Sequence, residues 1–153
     1  MTIAVRRAES AAERLASWKI RERVFIGEQG IAEAIERDGL DDVAWHFVAW
    51  DGELACGTAR VYGLGLDREP MSPDGAEVVK IGRMAVLPDR RRFGIGRLLL
   101  DTALDFARAR GARRAELSAQ EYVVPFYQRA GFIAESERYE EAGIPHRWMS
   151  RDL

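Results

Sequence analysis

The segment Leu87–Arg97 runs Leu-Pro-Asp-Arg-Arg-Arg-Phe-Gly-Ile-Gly-Arg and lies between a predicted strand and a predicted helix. Gly94 and Gly96 lack a Cβ, so backbone N–H groups there approach a ligand closely. The first turn of a helix leaves about four N–H groups unpaired and carries about half a positive charge, which favours phosphate. Arg91 and Arg92 add guanidinium donors that fork onto phosphate oxygens. The segment predicts an anion site; a solvated basic turn before a surface helix is the alternative.

Two other phosphate motifs are excluded by the same residues. A Walker loop requires Gly-Lys-Ser/Thr, whereas Gly96 is followed by Arg97 and Leu98. A dinucleotide fingerprint requires a third glycine at position 99, where this chain has leucine. The predicted anion site therefore belongs to another class.

The strand before the loop contains a break in its alternation. Val79 and Ile81 follow one phase, whereas Met84 and Val86 follow the other. A strand changes faces only through an extra residue, because successive side chains point to opposite faces of a sheet. The pattern predicts a β-bulge near Gly82-Arg83.

The remaining elements follow from caps, turns and periodicity. Predicted helices run from a capping box at Ser10 and Glu13 to about Phe25, ending near Gly27, from Ile95 to Arg110, and from Pro125 to Gly131. Predicted strands cover residues 3–7, 44–50, 53–62, 77–87, 113–119, 132–134 and 145–151, the last at a sheet edge where Pro145 is tolerated. The Asp51-Gly52 turn implies an antiparallel hairpin, whereas strand–helix–strand over residues 77–119 implies a parallel pair. The sequence thus predicts a mixed sheet with helices on its faces.

Composition narrows the class of protein. The 153 residues, 47% hydrophobic and 31% charged, predict one globular domain over residues 1–153. The net charge of −2 argues against a nucleic-acid partner, and no apolar run approaches the roughly 20 residues of a membrane helix. The N-terminus lacks the basic-then-apolar order of a signal peptide, which predicts a cytoplasmic protein. Cys56 is predicted to be a small buried hydrophobe, and no Cys/His cluster has the spacing of metal ligands.

Several motifs, in order along the chain, resemble the GNAT superfamily of acyl-CoA N-acyltransferases. Arg91–Gly96 matches its Gln/Arg-x-x-Gly-x-Gly/Ala signature, Ile81–Pro88 resembles the strand before it, and Phe126-Tyr127 with Ala130–Phe132 resembles a downstream segment. Segments that resemble the ElaA-like branch of small bacterial acetyltransferases are Arg23–Phe25 with Glu28-Gln29, Asp51-Gly52, Gly57–Arg60 and Glu140–His146. The resemblance spans nearly the whole chain.

The resemblance implies an α/β (α+β) fold: a mixed, mostly antiparallel sheet of six to seven strands, with a central parallel pair and helices on both faces. It also implies that the strands at 77–87 and 113–119 splay apart and leave a cleft. Acetyl-CoA is the implied cosubstrate. Its pantetheine arm would pair with Met84, Ala85 and Val86, and its pyrophosphate would bind Arg91, Arg92, Phe93, Gly94, Ile95, Gly96 and Arg97.

Amine acylation needs a polarised carbonyl, a neutral amine and a proton for the departing thiolate. The backbone N–H of Val86 is the candidate for polarising the carbonyl. Tyr127 matches the tyrosine that protonates the thiolate in such enzymes; a buried aromatic between helix and sheet is the alternative. Glu28 is the candidate base, with a helix-end carboxylate or a structural hydrogen-bonding partner as the alternative. His46 is predicted to be an ordinary sheet histidine, and His146 a weaker candidate for the cleft.

Acceptor recognition is predicted for the acidic loop after the first helix, through Asp38, Asp41 and Asp42, and for Arg60 and Tyr122. Carboxylates in a loop attract an ammonium group, although a merely solvated loop is the alternative. The predicted function is transfer of an acetyl group from acetyl-CoA to a primary amine of a small molecule or peptide, by a monomer or homodimer. The alternatives are a catalytically silent acyl-CoA-binding regulatory module and a nucleotide- or RNA-binding domain.

Overall fold

A computed structural model describes residues 1–153. Its strands are β1 (Ile3–Arg7), β2 (Trp45–Asp51), β3 (Leu54–Leu64), β4 (Pro70–Met71), β5 (Val78–Val86), β6 (Arg114–Gln120), β7 (Ile133–Ala134), β8 (Tyr139–Glu141) and β9 (Ile144–Asp152). Its helices are α1 (Ala11–Arg21), α2 (Glu33–Glu36), α3 (Ile95–Ala109) and α4 (Val124–Arg129). A π-helical segment, Glu22–Glu28, extends α1, and 3₁₀ turns cover Pro88–Arg90 and Glu121–Val123.

All strands join one sheet. Its order is β1-β2-β3-β5-β6-β9-β7, with β4 added to β3 and β8 added to β9. Every neighbouring pair is antiparallel except β5 and β6. The mixed sheet with a central parallel pair is therefore confirmed. The sheet has nine strands rather than six or seven, because the two-residue β4 and the three-residue β8 were too short for a periodic signal.

Two consecutive residues of β3 show that helices cover both faces. A Cβ on Gly57 would lie 2.9 Å from Cδ1 of Leu99 in α3. The next residue, Thr58, places its hydroxyl oxygen 2.6 Å from that of Ser17 in α1. Successive side chains of a strand point to opposite faces, so α1 and α3 lie on opposite sides of the sheet. The predicted helix placement is confirmed.

The predicted bulge lies in β5. Thr58 of β3 pairs with Ala85, but Arg60 pairs with Gly82, so β5 contains one residue more than β3 over this stretch. Arg83 adopts a φ of 49°, in the left-handed region. The phase argument that suggested the bulge is confirmed. Ile81 is opposite Val61 and Val86 is opposite Gly57, and these two β3 residues share a face, so Ile81 and Val86 share a face across the bulge. Ala85 is buried on the other face, opposite Thr58.

The first helix begins as predicted. The Ser10 hydroxyl accepts the Glu13 N–H at 3.1 Å, and the Glu13 carboxylate accepts the Ser10 N–H at 3.1 Å. The helix continues past the predicted end as the π-helical segment, whose last residue is Glu28. The following acidic loop contains the short helix α2.

The last strand does not lie at a sheet edge. β9 pairs with β6 from His146 to Asp152 and with β7 and β8 on its other side. Pro145 lies one residue before the first β6 pair, so no β6 carbonyl requires its missing N–H. The edge prediction was therefore wrong: Pro145 is tolerated at the end of a pairing, which its sequence position alone does not reveal.

Candidate active site

A cleft opens where β5 and β6 separate. Their parallel pairing covers three positions and ends at Lys80 and Glu116. Beyond that point β5 still pairs with β3 on its other side, so its backbone from Ile81 to Val86 presents a free edge to the cleft. The cleft has a volume of about 850 Å³. The splay that the family resemblance implied is present.

The N-terminus of α3 meets the cleft at one end. Gly94 precedes the helix with a φ of 78°, and no side chain caps the first turn. A Cβ on Gly94 would have no heavy atom within 4 Å, so the space beside it is open. Of the seven predicted loop residues, six line the cleft: Arg91, Arg92, Gly94, Ile95, Gly96 and Arg97. Phe93 does not, and its side chain is 62% exposed.

Arg91 and Glu28 form a two-point ion pair at the mouth of the cleft. Arg91 Nη1 and Nη2 donate to Glu28 Oε2 and Oε1 at 2.8 and 2.6 Å, and Arg91 Nε donates to the Val86 carbonyl at 2.9 Å. The hydrogen bonds from Arg91 lower the pKa of Glu28. Glu28 does not line the cleft, whereas its neighbour Gln29 does. The structure thus joins the predicted base to a predicted phosphate ligand.

Tyr127 lies in the cleft wall, on α4. It is buried, and its hydroxyl donates to the Met84 sulfur of β5 at 3.4 Å. Burial raises the pKa of Tyr127 above its ordinary value, so the phenol stays protonated at neutral pH. The aromatic rings of Phe126 and Phe132 pack edge-on against it. A protonated O–H therefore faces the free edge of β5.

One sheet face forms the other end of the cleft. Opposed residues of neighbouring strands share a face, and the register places Arg60 and Tyr62 of β3, Lys80 of β5, Ser118 and Gln120 of β6, and His146 of β9 together. All six line the cleft. Gln120 exchanges two amide hydrogen bonds with Gln29, at 3.2 and 2.9 Å, across to the end of the π-helical segment.

The acidic loop is neutralised by arginines from α1, β3 and β5. Three arginines and three carboxylates form an ion-pair cluster that consists of Arg21, Arg60, Arg83, Glu36, Asp38 and Asp41. Burial alone would raise the pKa of Asp38, but hydrogen bonds from Arg60 lower it to about 2. Asp38 therefore stays ionised, and each carboxylate of this cluster has an arginine partner.

The prediction that Asp41 and Asp42 bind the acceptor is not supported by this arrangement. Asp41 accepts from Arg21 and Arg60, each at 2.9 Å, and does not line the cleft. Asp42 lines a separate shallow pocket beside Arg7. The charge of Asp41 stabilises the loop through its arginine partners. The charge of Asp42 lies outside the cleft. Of the predicted acceptor residues, Asp38, Arg60 and Tyr122 line the cleft, Arg60 buried and Tyr122 73% exposed.

The other candidate reactive side chains, two histidines and the cysteine, each contact a backbone carbonyl group. The His46 ring nitrogen Nε2 lies 2.9 Å from the Asp41 carbonyl. The thiol of Cys56 is buried, which raises its pKa, and donates to the Ala49 carbonyl. His146 Nδ1 donates to the Ile144 carbonyl at 2.7 Å, which leaves Nε2 to face the cleft near Glu141.

Sequence reasoning missed Lys80 and Gln120 of the cleft. Both alternate with buried residues of their strands, and that phase was the available signal. No group of three His, Cys, Asp or Glu side chains has the geometry of a metal site. No helix is both long enough and apolar enough to cross a membrane.

Comparison with known proteins agrees with this geometry. The sequence pattern of the Acetyltransferase (GNAT) domain family matches residues 19–153. The chain is 34% identical over 134 residues to the uncharacterized N-acetyltransferase YjcF of Bacillus subtilis, covering 87% of this chain and 88% of that protein. It is 31% identical over 146 residues to Protein ElaA of Escherichia coli, covering 94% and 90%.

Solved structures of relatives share the fold. The crystal structure of Escherichia coli ElaA superposes with a TM-score of 0.81 at 29% identity, covering 98% of this chain and 99% of that one. An acyl-CoA N-acyltransferase from Pseudomonas aeruginosa superposes with a TM-score of 0.80 at 30% identity, covering 99% of each chain. The family pattern, the relatives and the cleft between β5 and β6 lead to one conclusion: the chain belongs to the GNAT acetyltransferase family.

Proposed function

We propose that this protein transfers an acetyl group from acetyl-CoA directly to a primary amine of a small molecule or peptide. The observation that carries the proposal is the free edge of β5, which leads from the cleft centre towards the uncapped N-terminus of α3. A ligand with amide groups followed by a pyrophosphate matches that order of backbone edge and helix terminus. Acetyl-CoA has this arrangement.

The residues present fit acetyl-CoA along its length. The amides of its pantetheine arm would add to the edge of β5 at Met84, Ala85 and Val86, as an extra strand adds to a sheet. Its pyrophosphate would accept from backbone N–H groups at Gly94 to Arg97, where no side chain competes. The guanidinium groups of Arg91 and Arg92 line the same end of the cleft. Phe93 contributes through its place in the loop rather than by contact.

The transfer then needs one attack and one proton. The neutral amine attacks the thioester carbonyl, the carbon–sulfur bond breaks, and the thiolate takes the phenolic proton of Tyr127. The backbone N–H of Val86 stabilises the oxyanion. The amine proton leaves through water, since Glu28 is bound by Arg91 outside the cleft lining. Arg60 and Tyr122, which line the cleft, are the candidates for contact with the acceptor.

Thermal melting tests the cosubstrate assignment. A ligand that binds only the folded state raises the melting temperature by mass action. Acetyl-CoA and desulfo-CoA should both raise it, while ATP and NAD at equal concentration should raise it far less. Equal shifts from ATP would reduce the site to a general phosphate site, because the pantetheine arm would then contribute nothing.

A further inference from the structure

We infer that the acceptor carries a carboxylate, which Lys80 binds, at about 10 Å from the amine that is acetylated. The position of the acceptor amine rests on the proposed function. The position of the acceptor carboxylate rests on the surroundings of Lys80. It replaces the cationic acceptor that the acidic loop suggested. The acceptor class is a short peptide with a free C-terminus, or a molecule with the same separation of amine and carboxylate.

Lys80 is a cation in the cleft without an anionic partner. It is half-buried, and its ammonium lies 5.8 Å from the ring centre of Tyr62 and 5.1 Å from that of Trp148. No carboxylate oxygen lies within 4.0 Å of it. Glu116, opposite it in β6, already accepts from Arg68 and Trp148. A half-buried ammonium between two rings is less hydrated than one in water, so a carboxylate ligand would bind it more strongly there.

The arginines at this end of the cleft are balanced by carboxylates. Arg60 and Arg83 are held by Asp38, Asp41 and Glu36 in the ion-pair cluster. Glu141 lies 3.6 Å from His146, and its side chain is 49% exposed. Lys80 is therefore the cation at this end of the cleft that an acceptor can neutralise without breaking an existing ion pair. A second positive charge on the acceptor would be repelled by Lys80.

The register sets the length of the acceptor. Lys80 is opposite Tyr62, and Ala85 is opposite Thr58, so the two β5 positions are four steps of β3 apart, or about 13 Å. In the proposed function the thioester carbonyl lies at the Val86 N–H, one residue beyond Ala85. After allowance for the reach of the lysine side chain, about 10 Å separates the two ends of the acceptor. An extended tripeptide spans about that distance, whereas a single amino acid does not.

Matched acceptors test the inference. Alanine, dialanine and trialanine are compared with their C-terminal amides by thiol release from acetyl-CoA. For trialanine, kcat/KM should be about tenfold or more higher for the acid than for the amide, as expected for a charge-assisted hydrogen bond. For alanine the ratio should be near one. Lys80→Met should bring the trialanine ratio near one, while Lys80→Arg, which keeps the charge, should retain most of it.

Two results would overturn the inference while leaving N-acetyl transfer in place: a wild-type trialanine ratio near one, or a ratio that Lys80→Met does not change. If no amine causes thiol release, the proposed function fails. The carboxylate site at Lys80 is then tested by ligand binding alone. With CoA present, N-acetyl-trialanine should then raise the melting temperature more than its amide does, and Lys80→Met should remove the difference. Equal shifts, or none, would exclude a carboxylate site.

Discussion

Glu28 and Arg91 are 63 residues apart in sequence, and their side chains meet through two hydrogen bonds of 2.8 and 2.6 Å at the mouth of the cleft. Arg91 lines the phosphate end of the cleft in the proposed function, yet a carboxylate already occupies its two terminal nitrogens. A pyrophosphate must therefore replace or share that carboxylate. Glu28 acts in this account as a competitor for Arg91, not as a base.

Glu28→Gln should tighten CoA binding several-fold at low salt, because the competing charge is removed, and the gain should shrink as salt screens the loop. Calorimetric titration measures both effects. Asp105→Asn is the matched control, since it removes the same charge from a carboxylate that pairs with Arg108 of α3, outside the proposed phosphate site. Equal gains in the two variants would show a general charge effect and exclude a specific competition for Arg91.

Gly94→Val should abolish CoA binding. At a φ of 78° a β-branched residue is strained by about 1–2 kcal/mol or more, and the backbone shift that relieves the strain moves the N–H groups at the start of α3. Gly75 is a control with a φ of 77° and equally open surroundings, away from the cleft. Both variants should lose similar stability in melts. Unchanged CoA affinity in Gly94→Val would remove the loop from the cosubstrate site.

Tyr127→Phe should lower kcat with little change in CoA affinity, because the phenolic proton matters only when the thiolate leaves. The variant should remain folded, since the lost hydroxyl donates to the Met84 sulfur alone. The raised pKa of Tyr127 predicts that this group causes no loss of activity as the pH rises from about 7 to 10. Full activity of Tyr127→Phe across that range would assign the proton to water or another residue.

Glu116 should make stability depend on pH in the acid range. Hydrogen bonds, the strongest from Arg68, lower its pKa from the ordinary 4.5 to about 2 in the folded protein. A lowered folded-state pKa stabilises the fold fully above pH 4.5, and this contribution is lost as the pH falls through about 2. Melts between about pH 6 and 2.5 should therefore show a smaller drop for Glu116→Gln than for wild type. An equal drop, with the exposed Glu137→Gln as control, would contradict the assignment.

The sequence predicted best the features that depend on neighbouring residues. The Ser10–Glu13 cap, the bulge at Arg83 and the glycine at the start of α3 are local, and each is present. The position of β9 was wrong, because it depends on pairing with β6 and β8 rather than on Pro145.

The sequence pattern alone did not reveal which charged residues pair with one another. The acidic loop looked like an ammonium attractor because its arginine partners lie elsewhere in the chain, Arg21 in α1 and Arg60 in β3. Lys80 gave no comparable signal, since the absence of a partner is visible only in three dimensions.

Whether CoA release depends on an amine distinguishes acetyl transfer from acetyl-CoA binding alone. Wild-type protein is incubated with acetyl-CoA and a panel of amines and peptides, free CoA is measured, and the acceptor is examined by mass spectrometry. The account predicts release that requires an amine and that yields one N-acetylated product per CoA. A protein that binds acetyl-CoA, yet releases no more CoA with any amine than without one, would contradict it and favour an acyl-CoA-binding regulatory module.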